Sequence, residues 1–454
     1  MADEADLQKS LDAASGKPAK PAATKVAKRD EVRERARTII DEQFIRDTDV
    51  AADAQLLKGV TASPTPPRSA IANVAKAAMP TQHKAAAVKA AEVSDRFSCE
   101  TAMRMAFVGA GQGGGKIAQA FWNVGYRRVS AFNTTDSDFE GLDPEMPKMS
   151  LDIGGAAKDM QMARNAMRGR DEEVRDLFSR GWGKKFDCAI VCVGLGGGSG
   201  SGAGLPLVKL ARKYMEDEGL PVRVGAIVAL PSVDEGQQAA RNAVTAFQEL
   251  HDAGVSPLVI IDNDKVDDLY SPPMSRLLPM SNELVSSLFH LFNQLAATKS
   301  KHITFDRAEF AQLLDSGIVV MGSADFDVAA IASPADISTK IREELANNVL
   351  ADIDLRTGKK AACVFVASHE ILDSFGKEYF AAGFTALNRI VGSGHPEGTD
   401  VVVHRGLYAE SLEGLQCYTM VAYLAPPAAK LQALARQAGL PARSLAASRH
   451  MKVD

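Results

Sequence analysis

The chain has 454 residues, more than one typical domain needs, and 46% of them are hydrophobic, enough to bury a sizeable core. Its 52 Lys and Arg against 57 Asp and Glu leave a net charge of −5, a balance that gives no support to wholesale binding of nucleic acid or anionic lipid. The five cysteines, Cys99, Cys188, Cys192, Cys363 and Cys417, form no CxxC pair, and the chain shows neither a signal-peptide core nor an apolar run of about 18 residues, so the expectation is a reducing, cytoplasmic location without a disulfide framework.

Residues 1–100 are rich in Ala, Lys, Pro and charge and include TASPTPPRSA, a composition that cannot bury enough surface to offset the entropy of ordering. The expectation is a mostly disordered extension. Within it, Val32, Ala36, Ile39, Ile40, Phe44 and Ile45 recur near helical spacing and predict an amphipathic helix over about 30–57 that either binds a partner or adaptor or packs back on the chain. Order begins near Arg104 with MAFVGAGQGGGKIAQAFWNVG, which reads as strand, glycine turn and helix. A short strand, VSAFN, closes on Asn133, and a helix is predicted over about Lys158 to Leu177.

The apolar strand CAIVCV then runs straight into Gly194–Gly202, GLGGGSGSG, followed by a helix. The strand VRVGAIVALP, a helix from Glu235 to about Ala253 and the strand PLVIID complete the pattern. Strands apolar on both faces, alternating with helices, predict a parallel sheet covered on each side, with ligands at the carboxyl ends of its strands. A long helix over about Ser281 to Lys299 has Leu284, Leu288, Leu291, Phe292 and Leu295 apolar on more than one face and is expected between two bodies. Beyond it GIVVMGS, AACVFVAS, DVVVHRGLY and CYTMVAYL predict a second, smaller α/β unit. The predicted organisation is therefore an extension (1–100), a parallel-sheet domain (101–280), a central helix (281–300), a second α/β domain (301–426) and a C-terminal helix with a tail (427–454).

Both glycine-rich stretches follow a strand and open a helix. Glycine admits positive φ and brings backbone N–H groups close to an oxyanion, and Ser199 and Ser201 add hydroxyl donors, so the second loop suits a phosphate. The first, Gly109-Ala110-Gly111-Gln112-Gly113-Gly114, satisfies G-x-G-x-x-G, the fingerprint of a dinucleotide site and hence of an NAD-dependent oxidoreductase. That fingerprint also asks for an acid at the end of the second strand, where this chain has Asn133-Thr134. A P-loop is a poorer fit, because Ile117 stands where Ser or Thr must meet magnesium and Ala110 where the first glycine belongs. Two glycine loops at one sheet edge suit a nucleotide di- or triphosphate better than a dinucleotide.

At this point the chain resembles the tubulin and FtsZ superfamily. Its signature loop GGGTGSG is close to GGGSGSG at Gly196, Gly197, Gly198, Ser199, Gly200, Ser201 and Gly202, and its first phosphate loop resembles Gly111, Gln112, Gly113, Gly114, Gly115, Lys116 and Ile117. Asn133-Thr134-Thr135-Asp136 is similar to the family's loop after the second strand, and Gly154-Gly155-Ala156-Ala157 to its small-residue loop near the γ-phosphate. Pro231-x-x-x-Glu235-Gly236 resembles the FtsZ ribose loop, although Ala239 replaces the family's arginine and Arg241 comes two residues later. Asn263-Asp264-Lys265 matches the FtsZ turn whose asparagine reads guanine, and Asn282 matches the second guanine-reading asparagine, with Leu278 where the family stacks an aromatic ring.

The resemblance implies a cytoplasmic GTPase that polymerises head to tail, binding GTP or GDP with Mg²⁺ and with no metal ligand from its own side chains. It places phosphate contacts at Gly111–Lys116, Asn133, Gly155, Ala156 and Gly196–Ser201, the ribose at Glu235, and the base at Asn263 and Asn282. It also implies that Asp306 and Glu309, in Thr304-Phe305-Asp306-Arg307-Ala308-Glu309, enter the pocket of the next subunit and position water against the γ-phosphate. Read from the residues alone, an Asp and Glu opening a helix are equally consistent with capping. Thr304, Ala239 and Leu278 depart from the family pattern and keep open a non-hydrolysing scaffold. The last residues carry no membrane-adaptor peptide of the FtsZ type, and a divergent FtsZ-like or TubZ-like protein is the expectation.

Overall fold

The computed structural model describes residues 101–270, 274–347, 350–396, 399–410 and 414–440. The expected helix over 30–57 and the tail over 441–454 lie outside the described residues. The strands are β1 (Met105–Ala110), β2 (Val129–Asn133), β3 (Lys148–Ser150), β4 (Cys188–Gly194), β5 (Val224–Leu230), β6 (Leu258–Asp262), β7 (Ile318–Phe326), β8 (Lys360–Ala367), β9 (Val402–Ala409) and β10 (Leu415–Leu424). The helices are α1 (Gly111–Asn123), α2 (Met160–Met167), α3 (Asp171–Trp182), α4 (Gly198–Asp217), α5 (Gln237–Asp252), α6 (Asn263–Tyr270), α7 (Met274–Leu295), α8 (Arg307–Leu314), α9 (Pro334–Asn347), α10 (His369–Ser374), α11 (Lys377–Gly392) and α12 (Ala428–Gln437).

One ten-stranded sheet runs in the order β3-β2-β1-β4-β5-β6-β7-β10-β8-β9. From β3 to β7 every pair is parallel. β10 runs antiparallel to both β7 and β8, and β8 is parallel to β9. The second α/β unit anticipated from the sequence is thus continuous with the first: β7 gives its opening residues to β6, through Leu258↔Ile318 and Val259↔Val319, and its whole length to β10. Two apolar cores fill the two faces. On one lie α1, α7 and α8, with Phe121, Phe289, Leu291, Phe292 and Phe310 buried; on the other lie α3, α4, α5, α9, α11 and α12, with Phe178, Tyr214, Phe247, Phe384 and Leu434 buried.

Two helices depart from the sequence expectation. The stretch 158–177 is broken by Gly169 at φ 77°, a left-handed conformation that ends α2 before α3 begins. The central helix starts at Met274, ahead of the expected Ser281, and carries Pro279 within its length. Pro279 sits just past the first turn, whose amides have no intrahelical acceptor in any case, so its missing N–H removes a single ladder bond close to the helix start. Leu284, Leu288, Leu291, Phe292 and Leu295 are all buried against the sheet, as their spacing anticipates.

Candidate functional site

β1 and β4 are neighbours, so their two glycine loops leave the sheet side by side at its carboxyl edge. They touch through backbone. Gly111 takes φ 69°, and a Cβ there would lie 2.7 Å from the Gly200 nitrogen; a Cβ on Gly200 would meet the carbonyls of Gly194 at 2.9 Å and Ala110 at 3.0 Å. Any side chain at these points would force the loops apart. The second loop leads directly into α4, with Gly197 as its N-cap, and the first-turn N–H groups of such a helix point outward without intrahelical acceptors. Gly197 itself is exposed and has open space on its Cβ side.

The loop holding Gly155 and Ala156 lies against that helix start: a Cβ on Gly198 would meet the Asp159 nitrogen at 2.6 Å and the Ala156 Cβ at 3.0 Å. Gly154 and Gly155 have φ of 73° and 102°, and the turn continues through Ala157 and Lys158, also at positive φ. Asn242, buried on α5, donates its side-chain amide to the Lys158 carbonyl at 2.9 Å and to the Gly196 carbonyl at 3.3 Å, tying the two loops together. Sequence reasoning missed Asn242, since a lone Asn in a helix gives no signal of its partners.

Hydroxyl and amide groups divide between ligand-facing and internal duties. Ser201 donates to the Leu195 carbonyl at 2.5 Å and so shapes its own loop. Asn133 is likewise turned inward: its amide nitrogen donates to Asp138 at 3.0 Å and its oxygen accepts from the Thr134 amide at 2.7 Å. The residue after β2 that reaches the glycine loop is Thr134, whose hydroxyl pairs with that of Ser199 at 2.6 Å. Gln112 and Lys116 are exposed on the first turns of α1, while Gly113 and Gly114 bring that helix against β4 and Gly115 faces the Leu142 side chain.

Glu235 forms a capping box with Ser232, accepting from its amide at 2.9 Å, and its other oxygen lies 3.3 Å from where a Gly196 Cβ would be. Glu235 is therefore beside the cradle. Asn263 opens α6 at the end of β6 and is 7% exposed, with its side-chain oxygen buried and without a hydrogen-bond partner. An orphaned buried acceptor costs about 1–3 kcal/mol, so this amide fits a ligand that brings an N–H donor. Asn282 lies within α7, eight residues past its start, and Leu278 sits one turn before it on the same face, 49% exposed.

Asp306 and Glu309 occupy a different place. Asp306 caps α8, its Oδ1 accepting from the amides of Ala308 at 2.8 Å and Glu309 at 2.9 Å, and Glu309 Oε2 accepts in return from the Asp306 amide at 2.9 Å. Glu309 Oε1 is 3.1 Å from Nδ1 of His404, a buried β9 residue that sequence reasoning missed. With Nε2 of His404 buried and unpartnered, the Nδ1–H tautomer donating to Glu309 leaves no buried N–H without an acceptor. Arg307, between the two carboxylates, lies 3.3 Å from Asp187, which immediately precedes β4. The carboxylates are thus anchored at the amino edge of the sheet. β4 is seven residues long, so they stand about 20 Å from the glycine loops of their own chain.

Two apposed glycine loops at the carboxyl edge of a parallel sheet, flanked by an acid and an unpaired amide, define an α/β protein with the make-up of a nucleotide-binding fold. Residues 104–271 match the family model "Tubulin/FtsZ family, GTPase domain", a match that marks the chain as a divergent relative of the tubulin/FtsZ superfamily. It is 30% identical over 206 residues to the tubulin-like protein CetZ of Pyrococcus abyssi, a match covering 42% of this chain and 54%, about half, of that protein. Among solved structures, a GTPγS-form protofilament of TubZ from Bacillus thuringiensis serovar israelensis is similar at TM-score 0.63 and 19% identity, covering 76% of this chain and 93% of that one. CetZ2 from Haloferax volcanii, a GTPγS-bound protofilament, is similar at TM-score 0.60 and 20% identity, covering 74% and 98%. The structural likenesses establish a shared α/β fold.

Proposed function

We propose that the chain binds GTP and GDP at the carboxyl edge of its sheet, with Mg²⁺ accompanying the phosphates, and hydrolyses GTP in head-to-tail filaments. Gly111–Lys116, Gly155, Ala156 and Gly196–Gly200 cradle the phosphates through backbone N–H groups, with Ser199 as a hydroxyl donor. Glu235 takes the ribose hydroxyls, and Asn263 and Asn282 read the base. Asp306 and Glu309 of one copy enter the pocket of the next, where a carboxylate orients and polarises the attacking water.

The observation that carries this reading is the separation of the two halves: the cradle lies at the carboxyl edge of β4 and the carboxylate pair beyond its amino edge. Within one chain they cannot meet, whereas stacking a second copy along the strand direction brings them together. The family match supports guanine-nucleotide binding, and relatives that form protofilaments support self-association.

Turnover of GTP measured against protein concentration, alongside light scattering, tests it. Rate per molecule should rise steeply where scattering appears. Glu309→Gln should keep GDP affinity and lose about 100-fold in turnover, the usual scale of a positioned acid or base. Asp306→Asn should slow turnover without loosening α8, since Asn preserves helix capping where Ala would cost about 1 kcal/mol. A second reading is favoured by one observation, the engagement of both carboxylates in reciprocal capping and with His404. A scaffold of this kind would scatter light without releasing phosphate, and Glu309→Gln would then change nothing.

A further inference from the structure

Lys430 lies on α12, far along the chain from the nucleotide loops, yet it is 6% exposed. Its ammonium is 2.6 Å from Asp262 Oδ1 and 2.6 Å from Asp264 Oδ2, the two residues that flank Asn263. Asp264 also accepts from the Ser232 hydroxyl and from the Val233 amide at 3.1 Å, so the same cluster holds the turn that carries Glu235. Asp262 further accepts from the Asp264 amide at 3.1 Å. Both carboxylates beside Asn263 are therefore occupied by donors other than Asn263.

The helix that delivers Lys430 is itself fixed. Leu431, Leu434 and Ala435 are buried in the core, and Gln237 and Arg241 of α5 donate to the Ala438 carbonyl at its end, at 3.4 Å and 3.2 Å. Arg241 thus serves α12 and the fold. Two carboxylates so close together, one of them almost wholly buried, need a cation. Burial raises the pKa of Asp262 despite Lys430, while at Asp264 the hydrogen bonds from Lys430 and Ser232 outweigh burial and lower it. Without the ammonium, Asp262 or Asp264 would take the Asn263 side-chain NH₂ as a replacement donor and turn the amide away from the pocket.

We propose that Lys430 is a positioning residue for base recognition: by neutralising Asp262 and Asp264 from α12, it leaves the Asn263 amide oxygen without an internal partner and available to the N1–H of guanine, a position at which adenine has an acceptor instead. The assignment rests on the guanine-nucleotide reading above. It makes the last helix of the described chain part of the specificity of the first domain.

Calorimetric titration of the full chain with GDP and with ADP, below the concentration at which it scatters light, tests it. The wild type should prefer GDP. Lys430→Met should reduce the GDP-to-ADP affinity ratio by about tenfold, the scale of one unpaired polar contact, and Lys430→Arg should restore most of it. A helix clamp without influence on the base would weaken both nucleotides alike, leaving the ratio unchanged, and that result overturns the proposal. If Lys430→Met does not fold, Lys430→Met with Asp262→Asn removes one charge from each side of the pair; its ratio should stay low, and a wild-type ratio in that folded variant also overturns it. A wild-type chain that binds neither nucleotide overturns the guanine reading itself, a failure distinct from a preserved ratio in the variants.

Discussion

Glycines at the cradle divide by what a methyl group would meet. A Cβ on Gly114 would lie 2.1 Å from the Cys192 carbonyl, and one on Gly202 would lie 2.5 Å from the Met160 carbonyl, so both positions are closed by backbone. Gly197 has no atom within 4 Å of that point and no positive φ. Gly202→Ala, which elsewhere in a helix would stabilise, should therefore cost about 1–3 kcal/mol in urea unfolding by forcing α2 off α4. Gly197→Ala should leave the unfolding midpoint unchanged and weaken GDP in a titration, because Gly197 caps the helix start that the proposed site uses and a methyl there enters open space that a bound phosphate would need. A stable, normally binding Gly197→Ala variant would remove that residue from the site.

At the scale of elements, Asp187 ties the starts of β1, β4 and α8. It accepts from the Arg104 amide at 2.8 Å and from the Arg104 guanidinium at 2.8 Å and 3.1 Å, with Arg307 nearby at 3.3 Å. Burial pushes its pKa up, but the Arg104 hydrogen bonds and both guanidinium charges outweigh burial and hold it at about 2, below the ordinary 3.8. A depressed folded-state pKa gives stability that is present above about pH 4 and lost as pH falls towards 2. Asp187→Asn should accordingly lower the urea midpoint at pH 7 and converge with the wild type near pH 2; parallel curves at all pH values would show that the charge is not what matters. α8 has the same dependence on a remote partner, since His404 of β9 holds the carboxylate of Glu309.

Across the whole molecule, one sheet carries the glycine loops at one edge and a carboxylate pair at the other, so under the proposed function each copy would hold half of two sites. This geometry predicts complementation. A chain with Asp306→Asn keeps a sound cradle, and one with Gly197→Ala keeps a sound carboxylate loop. Mixed in equal amounts and co-assembled, they should recover about a quarter of wild-type GTP turnover, because that fraction of random head-to-tail junctions pairs two intact halves. Each variant alone should turn GTP over well below that level. No recovery in mixed filaments would place the reacting groups within one chain and contradict the separation of the two halves.

Local chemistry made much of this legible in the sequence. Apolar strands, glycine turns at their ends and a central helix in which Leu284, Leu288 and Leu295 are buried follow from short-range sterics and from periodicity, which neighbouring residues already encode. The two glycine loops could be read as an anion site for the same reason, since absence of Cβ is a property of single residues. The inward turns of Asn133 and Ser201, the fusion of both units through β7, and the partners Asn242, His404 and Lys430 were not legible. Each depends on which distant backbone or charge the fold brings within hydrogen-bond reach. Lys430 and Asp262 are separated by most of the second half of the chain, and their pairing at 2.6 Å is decided by the packing of α12 on α5. The sequence by itself determined which strands end in glycine loops; the tertiary structure decided which side chains lie beside those loops, because burial and desolvation act on the assembled molecule.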